Sequence, residues 1–139
     1  MPLTVRDVMT ANPVTLPAQA PVTDAAKRMR QEDIGDVIVL EGDRICGVVT
    51  DRDIVVRVLA EDREPARTKL GEICSRNVVT VKPGDALTQA GDLMRTRTIR
   101  RVPVVEGGRP VGIVSIGDLA VERDPDSALG EISAATPNN

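Results

Sequence analysis

Gly47-Val48-Val49-Thr50-Asp51-Arg52-Asp53 and Gly112-Ile113-Val114-Ser115-Ile116-Gly117-Asp118 decide how this chain is read. The second stretch follows the first at an offset of 65 residues (112 − 47), and the offset holds without a gap from Val5/Leu70 to Val55/Ala120. A register kept over that length marks an internal duplication rather than a chance recurrence. Within it a glycine, a hydroxyl residue three positions on and an aspartate three further return together. A function carried by a pair of related sites is therefore the first expectation.

Working outward from the motif, each copy reads as helix, strand, helix, strand, strand, helix. Asp36 to Glu41 and Arg44 to Thr50 are rich in Val and Ile and flank Gly42-Asp43, a hairpin signal; Arg101 to Glu106 and Arg109 to Ser115 flank Gly107-Gly108. Their nearly continuous apolar runs suit strands covered on both faces. Upstream, Thr4 is placed to cap a short helix from Val5 to Met9, and Asn12-Pro13 precedes the extended stretch Val14-Thr15-Leu16. The second copy offers Leu70 to Cys74, then Val79-Thr80-Val81. The longer helix of each copy is expected to bury Ala25, Ala26, Met29 and Ile34, or Ala90, Leu93, Met94 and Ile99. It should begin with Pro21 as its first residue in one copy and with Asp85 as its N-cap in the other. A further helix starts near Asp51 or Ile116.

These elements divide the chain into a first repeat over 1–61, a polar linker over 62–69 containing Pro65, a second repeat over 70–123 and a tail over 124–139. In the tail, Leu129-Gly130-Glu131-Ile132 repeats Leu70-Gly71-Glu72-Ile73 and is expected to form a short terminal helix. The fold class is α/β (α+β), each half a small sheet packed by helices.

Composition excludes several functions. The 139 residues are 41% apolar, enough to bury a core, and no apolar run approaches the length of a membrane span. Met1-Pro2-Leu3 leads directly into charged residues with no signal-peptide pattern, so a cytoplasmic location is expected. A net charge of −3 gives no general attraction to nucleic acid or to an anionic membrane. The chain has no His, which removes the usual general base and the commonest zinc nitrogen ligand. It also has no Phe, Tyr or Trp, so a bound base would be gripped by aliphatic side chains rather than stacked on a ring. Cys46 and Cys74, 28 positions apart (74 − 46), match no metal or redox spacing and are read as buried small apolar residues, with a disulfide or redox switch as the alternative.

The repeated motif makes a polar corner. Gly47 and Gly112 permit a close backbone approach or a bulge, and the strand then delivers Thr50 or Ser115 to a helix N-terminus, where free N–H groups favour an anion such as phosphate. Asp53 and Asp118 fall in the first turn, and a carboxylate that accepts two hydrogen bonds suits the paired hydroxyls of a ribose. The same spacing is also that of a capping box, which helices use for stability alone.

Strand, Gly-hydrophobic-hydrophobic-Thr/Ser-x-x-Asp, helix, in two copies, together with Asp7-Val8-Met9-Thr10 and Arg100-Arg101-Val102-Pro103-Val104-Val105, resembles the CBS domain, the module named after cystathionine β-synthase. The resemblance covers almost the whole chain. It implies a compact tandem pair with pseudo-twofold symmetry that dimerises into a disk and binds adenosine-containing ligands of the AMP, ADP or ATP class in clefts between the repeats. On the matching positions, it implies Asp118 on the ribose and Ser115 on the phosphate, with Arg100 and Arg101 as basic phosphate partners and Val79, Thr80 and Ile113 around the base. The other cleft would use Asp53, Thr50, Val14, Thr15 and Val48 in the corresponding roles.

Gly35-Asp36 stands where the second copy has Arg100-Arg101, so the first cleft loses two positive charges and gains a negative one. Arg52 is the nearest candidate to compensate, unless it pairs with Asp51 or faces water. The two sites are expected to be unequal, the second the stronger for phosphorylated ligands. The expected function is that of a stand-alone regulatory homodimer that senses an adenine nucleotide and signals to a target protein the sequence does not name. No required cofactor, no bound metal and no enzymatic activity are expected. The alternative is a dimeric scaffold that binds no nucleotide or is linked to redox through Cys46 or Cys74. Nucleic-acid binding would rest on Arg95, Arg97, Arg100 and Arg101 and is disfavoured by the acidic whole.

Overall fold

The computed structural model describes residues 3–75 and 78–123, the last four by their backbone alone. In chain order the elements are α1 (Val5–Val8), β1 (Thr10–Ala11), β2 (Thr15–Pro17), α2 (Val22–Glu32), β3 (Asp36–Glu41), β4 (Arg44–Thr50) and α3 (Asp51–Ile54), which continues as a π-turn over Val55–Leu59. A 3₁₀ turn (Pro65–Arg67), α4 (Leu70–Ile73), α5 (Leu87–Arg97), β5 (Arg101–Glu106), β6 (Arg109–Ser115) and α6 (Ile116–Arg123) follow. The chain is mixed α/β, with two three-stranded sheets, β2-β3-β4 and β1-β6-β5. The terminal helix expected near Leu129 lies outside the described residues.

Two compact units divide the chain. One is Pro13–Val78; the other joins the residues up to Asn12 to those from Val79 onward. The opening helix of each sequence repeat thus packs in the unit built around the other repeat. In the first unit Leu70, Ile73 and Cys74 join Val22, Ala25, Met29, Val37, Val39, Val49 and Val58 in one core. In the second, Val5 joins Leu87, Ala90, Met94, Val102, Val104 and Val114, with Val8 and Met9 packed alongside. Backbone hydrogen bonds repeat the exchange at the 65-residue offset: Leu70 N to Ala20 O and Gly71 N to Ala18 O in one unit, Val5 N to Asp85 O and Arg6 N to Pro83 O in the other, each 2.9 Å.

The exchange explains where the long helices begin. α2 and α5 start after Pro21 and Ala86, neither of which caps with a side chain. Their first amides are instead satisfied by carbonyls of the incoming segment, Val22 N to Thr68 O at 2.8 Å and Leu87 N to Leu3 O at 3.1 Å. Asp85 is therefore no N-cap; its carboxylate closes a turn by accepting from Lys82 N at 2.8 Å. Pro21 is one place outside the helix rather than its first residue. Ala26 lies at the edge of the apolar stripe and is exposed, whereas Val22, Ala25 and Met29 are buried.

The four long strands span the expected residues. The hairpin turns hold Gly42, Gly107 and Gly108 at positive φ. Each hairpin carries a bulge, so that Val39 pairs with Gly47 but Leu40 with Ile45, and Val104 with Gly112 but Val105 with Pro110. The extra residues are Cys46 and Val111. Val79-Thr80-Val81 forms a single parallel bridge, Val81 with Val104, where a strand was expected. The first unit shows why: Ile38 N donates to Val14 O and Ala18 N to Leu40 O. At the matching places stand Pro103 and Pro83, which have no N–H to donate.

Candidate functional site

The motif glycines are accounted for by packing. Gly47 faces the backbone of Ser75, and Val48 and Ser75 form an antiparallel bridge; Gly112 faces Met9 and Thr10, and Thr10 pairs with Ile113. The segment that leaves the exchanged helix crosses each strand at its glycine, leaving no room for a Cβ.

The hydroxyl and carboxylate of each motif form a reciprocal pair. Thr50 N donates to Asp53 Oδ2 at 2.8 Å while Asp53 N donates to Thr50 Oγ1 at 3.1 Å. Ser115 N donates to Asp118 Oδ2 at 2.8 Å while Asp118 N donates to Ser115 Oγ at 3.2 Å. These are capping boxes, and they leave the second oxygen of each carboxylate for another donor. At Asp53 that oxygen already faces Arg57, with Nε 3.7 Å from Oδ1, while Arg57 Nη1 donates to Ile73 O at 3.1 Å. Among the described residues no donor is bonded to the second oxygen of Asp118.

The candidate residues sort cleanly by unit. Val14, Thr15, Val48, Thr50 and Asp53 lie in Pro13–Val78; Val79, Thr80, Arg100, Arg101, Ile113, Ser115 and Asp118 lie in the other unit. Within the first, Thr15, Ile38 and Val48 stand side by side across three strands, and Asp36 stands opposite Thr50 two residues along the same face. Within the second, Pro103 and Ile113 stand side by side and Arg101 stands opposite Ser115. Arg100 is exposed, Arg101 half-buried, and the Arg100 carbonyl accepts from Ile116 N at 2.8 Å, which ties it to the start of α6. The difference read between the copies is thus concrete: one hydroxyl has a carboxylate across the ladder, the other a guanidinium.

Arg52 is exposed, and Asp51 Oδ1 accepts from its backbone amide at 2.8 Å rather than from its side chain. The cation that reaches the first corner is Arg57, which the sequence reading passed over. Its signal was the four-residue spacing from Asp53 along one helical face.

The described residues contain no group of three or more His, Cys, Asp or Glu side chains able to hold a metal ion, and no helix among them is long and apolar enough to cross a membrane.

Comparison with known proteins gives two matches to the CBS domain family, over residues 5–60 and 70–123. The chain is 36% identical over 126 residues to the CBS domain-containing protein YhcV of Bacillus subtilis, covering 91% of this chain and 89% of YhcV. A hexameric CBS-CP12 protein from bloom-forming cyanobacteria is similar in structure, with a TM-score of 0.81 at 34% identity over 90% of this chain and 74% of that one. So is the CBS-domain pair of protein MJ0100 in complex with 5′-methylthioadenosine and S-adenosyl-L-methionine, with a TM-score of 0.77 at 27% identity over 86% and 94% of the two chains.

Proposed function

The chain belongs to the CBS domain family as a tandem pair, and from that footing we propose that it is a non-catalytic regulatory module that binds an adenosine-containing ligand at the corner made by Ser115, Asp118 and Arg101. The observation that carries this reading is the pairing of Arg101 with Ser115 across β5 and β6, one helical turn from Asp118. A guanidinium, a hydroxyl and the N-terminus of α6 suit a phosphate, while the second oxygen of Asp118 accepts from a ribose hydroxyl. Arg100 adds positive charge at the rim, and Val79, Thr80 and Ile113 supply an aliphatic wall for the base. AMP, ADP or ATP is the ligand class; the complex of MJ0100 with two adenosyl compounds supports the adenosine part of it.

The corner of Thr50 and Asp53, with Val14, Thr15 and Val48 beside it, takes the same ligand less well. Asp36 stands opposite its hydroxyl, and Arg57 already occupies the side of Asp53 a ribose would need. Ligand binding changes the affinity of the protein for a target, and only to the extent that the ligand prefers one of two states. Self-association as a homodimer fits the exposed Val55, Val56 and Leu59 on the turn after α3; the cyanobacterial relative is a hexamer.

A dye-based melt against AMP, ADP, ATP, NAD and S-adenosylmethionine tests the reading. Ligand at one hundred times its Kd stabilises the native state by about 2.7 kcal/mol. The ligand-induced shift should vanish in Asp118→Ala and persist in Asp53→Ala, each compared with its own unliganded melt. The reverse ranking overturns the assignment of the stronger site. No shift with any of the five reduces both corners to helix caps and favours a scaffold.

A further inference from the structure

We propose that Cys46 and Cys74 form a reversible intramolecular disulfide that fastens α4 to β4. Their sulfurs are 3.2 Å apart, roughly 1 Å beyond a covalent bond of about 2.05 Å, in a chain whose only two cysteines are these. The backbone already holds them together from both sides. Cys46 is the extra residue of the β4 bulge, which turns its side chain out of the regular alternation. Cys74 ends α4, its amide bonded to Leu70 O at 3.0 Å, and the next residue bridges Val48, with Ser75 N to Val48 O at 3.3 Å. Gly47 lets that segment lie against the strand. Closing the bond therefore calls for side-chain rotation, not movement of either element.

The other unit shows that packing alone does not require thiols here. At the 65-residue offset Val111 stands for Cys46 and Met9 for Cys74, and both pack against that unit's core. An apolar pair fills the place in one unit; the first unit fills it with two sulfurs.

The two sulfurs differ in access, Cys46 being half-buried and Cys74 buried. The oxidant is a low-molecular-weight disulfide. The Cys46 thiolate attacks one of its sulfurs and expels a thiolate, giving a mixed disulfide. The Cys74 thiolate then attacks the Cys46 sulfur and expels the second thiolate. Two protein thiols lose two protons and two electrons in all, and the small disulfide becomes two thiols. The bond lies within one unit and does not depend on nucleotide binding.

The test equilibrates the full chain, native and in urea, with glutathione and glutathione disulfide, then quenches with acid, removes the small thiols, unfolds every sample in urea, alkylates with N-ethylmaleimide at mildly acidic pH and weighs the intact chain. Expected from the native sample is a single chain about 2 Da lighter than the reduced one, with neither thiol alkylated and a peptide linking Cys46 to Cys74. Dithiothreitol should restore both thiols without unfolding. Cys74→Ser should stop at a glutathione adduct on Cys46. Amide exchange across Leu70 to Cys74 should slow in the oxidised wild-type chain. Both thiols found alkylated after equilibration of the native chain, disulfides only between chains, or an intramolecular bond that forms no more readily in the native chain than in urea would each overturn the proposal.

Discussion

A methyl group added at Gly47 would meet the carbonyl oxygen of Ser75, part of a backbone already bridged to Val48 and unable to step aside without breaking that bridge. At Gly112 the nearest atom would be Met9 Sδ at 2.6 Å, the far end of a flexible side chain, with Thr10 O next at 3.0 Å. Gly47→Ala should therefore cost about 1–3 kcal/mol in urea unfolding, and Gly112→Ala distinctly less, because a thioether can move where a strand carbonyl cannot. Equal losses would mean that the crossing segments are equally yielding. Among the described residues one bond, a backbone amide to a carboxylate three residues on, closes five turns: Thr4 to Asp7, Thr50 to Asp53, Lys69 to Glu72, Lys82 to Asp85 and Ser115 to Asp118. The bond itself therefore marks no ligand site. What singles out the Ser115–Asp118 turn is Arg101, which stands across the sheet from Ser115.

Among the elements, the four long strands were legible because Val and Ile runs end at glycine turns, a purely local signal. The parallel bridge at Val81 was not, since the loss of its neighbours depends on Pro103, a residue of the strand it would pair with. The starts of α2 and α5 are hidden from the sequence for a related reason: a carbonyl from a distant segment does the work of a capping side chain. Helix α4 carries one side chain whose contribution depends on pH. Glu72 accepts from Lys69 N at 2.7 Å and from Arg63 Nη2 at 2.8 Å. The Lys69 amide first, and then Arg63, hold its carboxyl below its ordinary pKa of 4.5. With the folded value depressed, its contribution is fully present above 4.5 and lost as pH falls through the lower folded value. In urea unfolding at a series of pH values, Glu72→Gln should be less stable than wild type near neutrality, and the gap should close on acidification. A gap that widens as pH falls would contradict this.

The duplication was plain in the sequence, but the way the whole molecule uses it was not. A 65-residue offset is the same whether α1 packs on its own repeat or on the other, and a four-residue helix with one buried stripe would suit either core. What decides is a set of long-range backbone bonds, Val5 N to Asp85 O and Leu70 N to Ala20 O among them, which no local pattern encodes. Each repeat is consequently stabilised by the first helix of its sibling. Leu70 is fully buried with Val22, Val39 and Val49, and Val5 with Leu87, Val102 and Val114. Leu70→Ala should cost about 2–5 kcal/mol, and hydrogen exchange should quicken most in β3 and β4, although the substitution lies in the second repeat by sequence. Val5→Ala, losing a smaller side chain, should quicken exchange most in β5 and β6, although it lies in the first. If the quickened amides instead followed the sequence repeats, with β5 and β6 responding to Leu70→Ala, each helix would belong to its own repeat and the exchange would be wrong.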